Sequence, residues 1–219
     1  MNSLKKERVG GQITCARCGT CCEKGGPAFH GCDRPILESG RIALADLYTL
    51  RKGEPVFDNV ANRPDTAPTD ILKIRSANGV SACLFYQRAD RSCGVYADRP
   101  LECRVLECWN PAGMAAVYRE DRLARKDLLS GLPDLWEMVL AHEEVCAYAQ
   151  ISQSVKEKNW EAVAYCIRYD FQVRRLMAEK GNMDDRLFDF LFGMPLTVTL
   201  QRYGLSQQQI HNMATSRNS

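Results

Sequence analysis

Four cysteines fall within eight residues near the start of this chain, in the string Cys15-Ala-Arg-Cys18-Gly-Thr-Cys21-Cys22. An isolated cysteine is usually a small buried hydrophobe. That account fails for four thiols in a hydrophilic loop with neither helical nor strand period. A C-x2-C pair lets two sulfurs reach one metal ion while the intervening amides point at them. Gly19, Gly25 and Gly26 let the loop close tightly around an ion. Adjacent residues in extended chain point opposite ways, so Cys21 and Cys22 are not expected to hold one ion together.

The pairs Cys15/Cys18 and Cys18/Cys21 have the spacing of the first three ligands of a bacterial ferredoxin run. The fourth cysteine of that run, three residues on and followed by proline, is absent, and Cys22 stands in its place. A second group, Cys83-x9-Cys93-x9-Cys103-x4-Cys108, follows. A hairpin and a short helix could return these sulfurs to a common point. Cys103 is placed early in its helix, where the positive dipole end favours a thiolate. Four thiolates satisfy one four-iron cluster or one zinc ion, and eight could serve two sites or one site with spares. The second group lacks C-x2-C and is unlike a zinc ribbon, so the spacing favours a [4Fe-4S] cluster, with Zn2+ as the alternative.

The chain has eleven cysteines among 219 residues. Its first twelve residues carry positive charge with no apolar stretch behind them, so no secretory signal is read there. The most apolar stretch, Leu187 to Val198, is about a dozen residues long and is broken by Asp189, Gly193 and Pro195. A span needs roughly 20 residues, so no membrane association is expected. The expected location is the cytoplasm, where grouped cysteines hold metal more often than they form disulfides. With a net charge of +2 and basic residues interleaved with acidic ones, no nucleic-acid partner is indicated.

The pattern predicts an α+β fold. Residues 1–12 read as a mobile arm, 13–114 as a cysteine-cluster domain and 115–219 as a helical region packed on it. Asp33 is expected to cap a short turn containing Pro35 and stopped by Gly40. A helix is predicted from Leu44 to Arg51, and residues 54–69, with three prolines, read as a long connection. Residues 71–75 and 80–86 flank Asn78-Gly79, the signature of a tight hairpin. Cys93 to Tyr96 is expected to be extended, and Asp98 to cap a helix with Pro100 in its first turn. Helices are predicted over 133–150, 155–179, 184–192 and 205–214.

Cys15-x2-Cys18-Gly19-x-Cys21-Cys22, followed by Cys83-x-Phe85 and Cys93-x2-Tyr96-x2-Arg99-Pro100-x2-Cys103-Arg104, resembles the YkgJ-type cysteine-cluster family, described as a zinc- or iron-chelating domain. The resemblance covers residues 13–110, about half the chain. It implies a metal site built from Cys15, Cys18, Cys21, Cys22, Cys83, Cys93 and Cys103, with Cys108 as an eighth. Flagellin lysine methylases carry an iron–sulfur cluster on a similar motif. This chain is much shorter, has no glycine-rich strand–helix fingerprint and lacks the C-x3-C-x2-C spacing of radical enzymes.

Three functions remain open. One is an iron–sulfur protein with a redox or structural role and a redox or protein partner. Another is a cluster-dependent protein-modifying enzyme, an oxidoreductase or transferase. The third is a zinc-stabilised interaction module. No catalytic motif is visible. His142 and Cys146 stand four apart, a spacing that can bring both to one metal, although core packing alone explains it. His30 and Cys32 could extend the site or be a solvated loop pair. Arg99 and Arg104 flank Cys103 and could offset cluster charge, or form surface salt bridges. Glu102 and Glu107 read as solvated, and Cys166 as a core residue.

Overall fold

The computed structural model describes residues 17–77, 81–107, 109–181 and 183–215. In chain order these form α1 (Arg34–Glu38), β1 (Leu47–Leu50), β2 (Pro55–Asp58), β3 (Arg63–Thr66), β4 (Ile71–Ile74), β5 (Tyr86–Gln87), β6 (Ser92–Cys93), α2 (Leu101–Val105), α3 (Ala112–Val117), α4 (Arg125–Leu129), α5 (Pro133–Cys146), α6 (Tyr148–Lys156), α7 (Trp160–Lys180), α8 (Phe188–Phe192), α9 (Leu196–Thr199) and α10 (Gln207–Thr215). The fold is α+β, with small antiparallel β-pairs in the first half and helices in the second. No helix among the described residues is long and apolar enough to cross a membrane.

β1 pairs antiparallel with β4, setting Leu47 against Ile74 and Thr49 against Leu72. All four side chains are buried, and the Thr49 hydroxyl donates to the Phe190 carbonyl of α8 at 2.6 Å. This corrects the helix expected over 44–51. The segment makes a 3-10 turn at Leu44–Asp46 and then a strand. Its burial alternates Leu47, Thr49, Arg51, a period-two pattern that only pays off once β4 lies beside it.

The expected hairpin is also altered. Ser76 pairs with Cys83, whereas a two-residue turn at Asn78-Gly79 would set residue 77 against 80. The chain does reverse, through Ala77 N to Ala82 O and Leu84 N to Arg75 O. The Asn78-Gly79 dipeptide itself lies outside the described residues. Residues 54–69 are not a bare connection, because β2 and β3 pair antiparallel. Asp58 Oδ1 accepts the amides of Val60 and Ala61, closing the turn between them. Pro55 and Pro64 are tolerated because both strands of a two-stranded ribbon are edges.

The helical half follows its sequence pattern more closely. Asn159 caps α7 by accepting the Ala162 amide, and Val163, Cys166, Ile167 and Asp170 line its buried face. The expected 133–150 helix ends at Cys146, and α6 begins anew at Tyr148. One buried cluster joins Phe29, Leu47, Leu72 and Cys83 of the first half to Leu129, Val139, Phe190 and Phe192 of the second. A second cluster is built by α5, α6, α7, α9 and α10. Burying these side chains contributes roughly 1.5–3 kcal/mol each. The expected arm, residues 1–12, lies outside the described residues.

Candidate metal centre

The loop carrying the first cysteines folds against β5. Gly19 adopts φ +81°, and a Cβ there would collide with the Tyr86 ring. The Glu23 amide donates to Gly19 O at 2.9 Å, starting a 3-10 turn over Cys22–Lys24. Cys21 has helical dihedrals of φ −71° and ψ −37°. The doublet is therefore not extended, and the Cys21 charge acts directly on the Cys22 thiol.

Three other segments bring their cysteines to this doublet. The Cys83 amide donates to Cys22 O at 2.8 Å, and its side chain is buried. Cys93 sits on β6 opposite Tyr86, and Cys103 projects from α2. The electrostatics show the convergence. Burial first, then the charges of Cys21, Cys83 and Cys93, push the Cys22 thiol up to about 12. Burial and the charges of Cys83, Cys22, Cys93 and Cys21 push Cys103 up as well. The dipole effect expected at Cys103 loses to these, since α2 is a helix of five residues. Burial and Cys93 raise Cys83, with Lys73 opposing.

Cys18 stands apart. It is exposed, its Sγ lies 3.3 Å from the Thr20 hydroxyl, and Thr20 and Arg91 hold its thiol below the ordinary value. Cys15 and Cys108 lie outside the described residues. Among the described residues, no three His, Cys, Asp or Glu side chains stand close enough to hold one ion. The donor chemistry nonetheless fits a thiophilic metal. Cys21, Cys22, Cys83, Cys93 and Cys103 lie within range of one another's charge, and each ionisation opposes the next. A bound cation relieves that opposition.

Glu102, expected to be solvated, is buried beneath this group. Its carboxylate accepts the Ala28 amide at 2.7 Å and stands 3.5 Å from His30 Nε2 and 3.4 Å from Arg122 Nη1. The neighbouring Glu102 carboxylate holds His30 above its ordinary pKa. Burial opposes ionisation of Glu102, but His30, Lys73, the Ala28 amide and Arg122 together hold its carboxyl below the usual range. Asp33, fully buried, accepts the His30 amide at 3.1 Å and the Leu101 amide at 2.8 Å. It thereby caps α2 from a distance, the role expected of Asp98, and pins the turn that carries Cys103. Glu102 has no sequence signature, because its partners are remote in the chain, and of the Asp33 amide contacts only the one to His30 is local.

His30 is buried, with Nδ1 2.7 Å from Glu120 O, so it braces the loop and does not face the thiol group. Cys32 is exposed beside Asp33. Arg99 lies 3.6 Å over the Tyr96 ring, and Arg104 pairs with Asp33 at 3.4 Å. Glu107 is exposed as expected. His142 spends both ring nitrogens elsewhere, Nε2 on Asp170 at 2.9 Å and Nδ1 near Arg51 at 3.3 Å. It is a core histidine and does not form a ligand pair with Cys146.

The sequence model of the CxxCxxCC family, described as "Putative zinc- or iron-chelating domain", matches residues 14–127. The chain belongs to the CxxCxxCC family. No curated protein and no solved structure matches it. As a member of that family the chain is a metal-binding protein of the zinc- or iron-chelating kind. The matched region runs past the cysteines to Lys126 and Asp127, and so takes in Glu102, Arg122 and Leu123 around the thiol group.

Proposed function

We propose that the thiol group holds a cysteine-ligated iron–sulfur cluster of the [4Fe-4S] type, with a redox or structural role. The observation that carries this reading is the convergence of five thiols from four separate segments. A zinc site and a four-iron cluster each take four thiolates, so the convergence supports a metal site, and the ferredoxin-like spacing of Cys15, Cys18 and Cys21 favours the cluster over zinc. Cys21, Cys22, Cys83, Cys93 and Cys103 form the nucleus of the ligand set, and Cys15, Cys18 and Cys108 complete the candidates. The cluster supplies an electron-accepting centre or a cross-link between chain segments. The chain's own residues supply thiolates and a floor braced by Glu102 and Asp33. A cytoplasmic setting keeps such thiols reduced. Residues 13–114 act as the metal unit and 115–219 as its helical support.

The test is metal and acid-labile sulfide content, with a visible spectrum, on protein purified without oxygen. About four iron and four sulfide per chain are expected. Stoichiometric zinc without sulfide overturns the iron–sulfur reading and makes the protein a zinc-stabilised module.

A further inference from the structure

Helices α5 and α7 face each other through matched positions. His142 meets Asp170 at 2.9 Å, and one helical turn further along α5, and one turn back along α7, Cys146 meets Cys166. The Cys146 thiol donates to Cys166 O at 3.5 Å, and the Cys166 thiol donates to Val145 O at 3.3 Å. Each sulfur therefore reaches the backbone of the opposite helix. Neither residue belongs to the metal centre, and both are free thiols. Cys146 is wholly covered, whereas Cys166 retains 8% exposure.

We propose that Cys146 and Cys166 are a peroxide-responsive thiol pair that closes into a disulfide across the α5–α7 interface. Each sulfur lies within 3.5 Å of a backbone carbonyl across the interface, which sets the two side chains face to face as a disulfide requires. The two sulfurs also divide the chemistry. The adjacent Cys146 thiol holds the Cys166 thiol below its ordinary pKa, and the same neighbour together with burial pushes Cys146 up. Cys166, the more accessible and more acidic, reacts first. Its sulfur attacks one peroxide oxygen, the O–O bond breaks, and the hydroxide released takes the thiol proton as water. The resulting sulfenic acid is attacked by the Cys146 sulfur. The S–S bond forms, the S–O bond breaks, and hydroxide leaves with the Cys146 proton as a second water. Two thiols are oxidised and one peroxide is reduced to two waters.

The full metal-loaded chain is treated with hydrogen peroxide, alkylated under denaturing conditions and digested with trypsin. Lys156 and Lys158 lie between the two cysteines, so cleavage separates them into different peptides. The expected result is a linked pair of peptides 127–156 and 159–168, released by dithiothreitol, with a higher melting temperature for the linked form. In Cys146→Ser, Cys166 is expected to be trapped as a dimedone-reactive sulfenic acid. Recovery of both cysteines singly alkylated while other thiols are oxidised overturns the proposal, as does linkage of Cys166 to a metal-centre cysteine. If Cys146→Ser fails to fold by circular dichroism, the wild-type cross-link alone decides.

Discussion

Replacing Glu102 tests whether the metal centre rests on a buried carboxylate. In Glu102→Ala the Ala28 amide loses its 2.7 Å acceptor, and His30 and Arg122 lose their shared counter-charge. An orphaned buried amide costs about 1–3 kcal/mol. Breaking a buried ion pair costs about 3–5 kcal/mol when contacts are close, and less here because both charged contacts are long. The sum for alanine is about 3–5 kcal/mol, a large part of an ordinary domain's 5–15 kcal/mol. Glu102→Gln keeps an acceptor for Ala28 and loses only the charge, so about 1–2 kcal/mol is expected. The pH dependence carries a sign. His30, raised above 6.5, stabilises fully below that value and stops doing so as pH rises through its folded value. Glu102, held below 4.5, stabilises above that value and stops doing so as pH falls through its folded value. The wild-type advantage over Glu102→Gln is therefore largest between about pH 4.5 and 6.5. Guanidinium unfolding of the full chain, followed by tryptophan fluorescence at several pH values, measures both effects. Equal losses in the two variants, or a loss below about 1 kcal/mol in alanine, refute the reasoning.

Other substitutions probe the remaining joints. Cys103→Ser and Cys93→Ser are each expected to lower metal content per chain well below wild type, while Cys32→Ser leaves it unchanged; metal analysis reads this directly. Asp33→Ala removes the acceptor of two amides and the partner of Arg104, and should destabilise by about 2–3 kcal/mol while loosening metal retention against a chelator. Asp170 accepts from His142, Arg174 and the Leu196 amide, so Asp170→Asn should cost about 2–4 kcal/mol in denaturant without changing metal content. An unchanged midpoint would show that these contacts do not hold α5, α7 and α9 together.

Much of the chain was legible as sequence because its signals are local. Cysteine spacing marks metal chemistry whatever the fold, and the motif strings identify the family without coordinates. Helix periodicity in 133–150 and 155–179 and the Pro35–Gly40 turn act within one or two helical turns. They survive in the structure with boundary shifts of up to five residues, apart from breaks at Ala147 and between Lys156 and Trp160.

What the sequence could not decide depends on partners distant in the chain. Leu44 to Arg51 suits a helix face or a strand equally, and only β4, lying beside it, selects the strand. Glu102 looks like any exposed helix residue until Ala28, His30 and Arg122 are brought to it, and Asp33 caps a helix 68 residues away. His142 had a metal spacing, but Asp170 and Arg51 reached its ring first. The sequence by itself determined which atoms can bind metal. The tertiary structure decided which thiols share one neighbourhood and what braces them, because desolvation and long-range pairing exist only once remote segments are packed together.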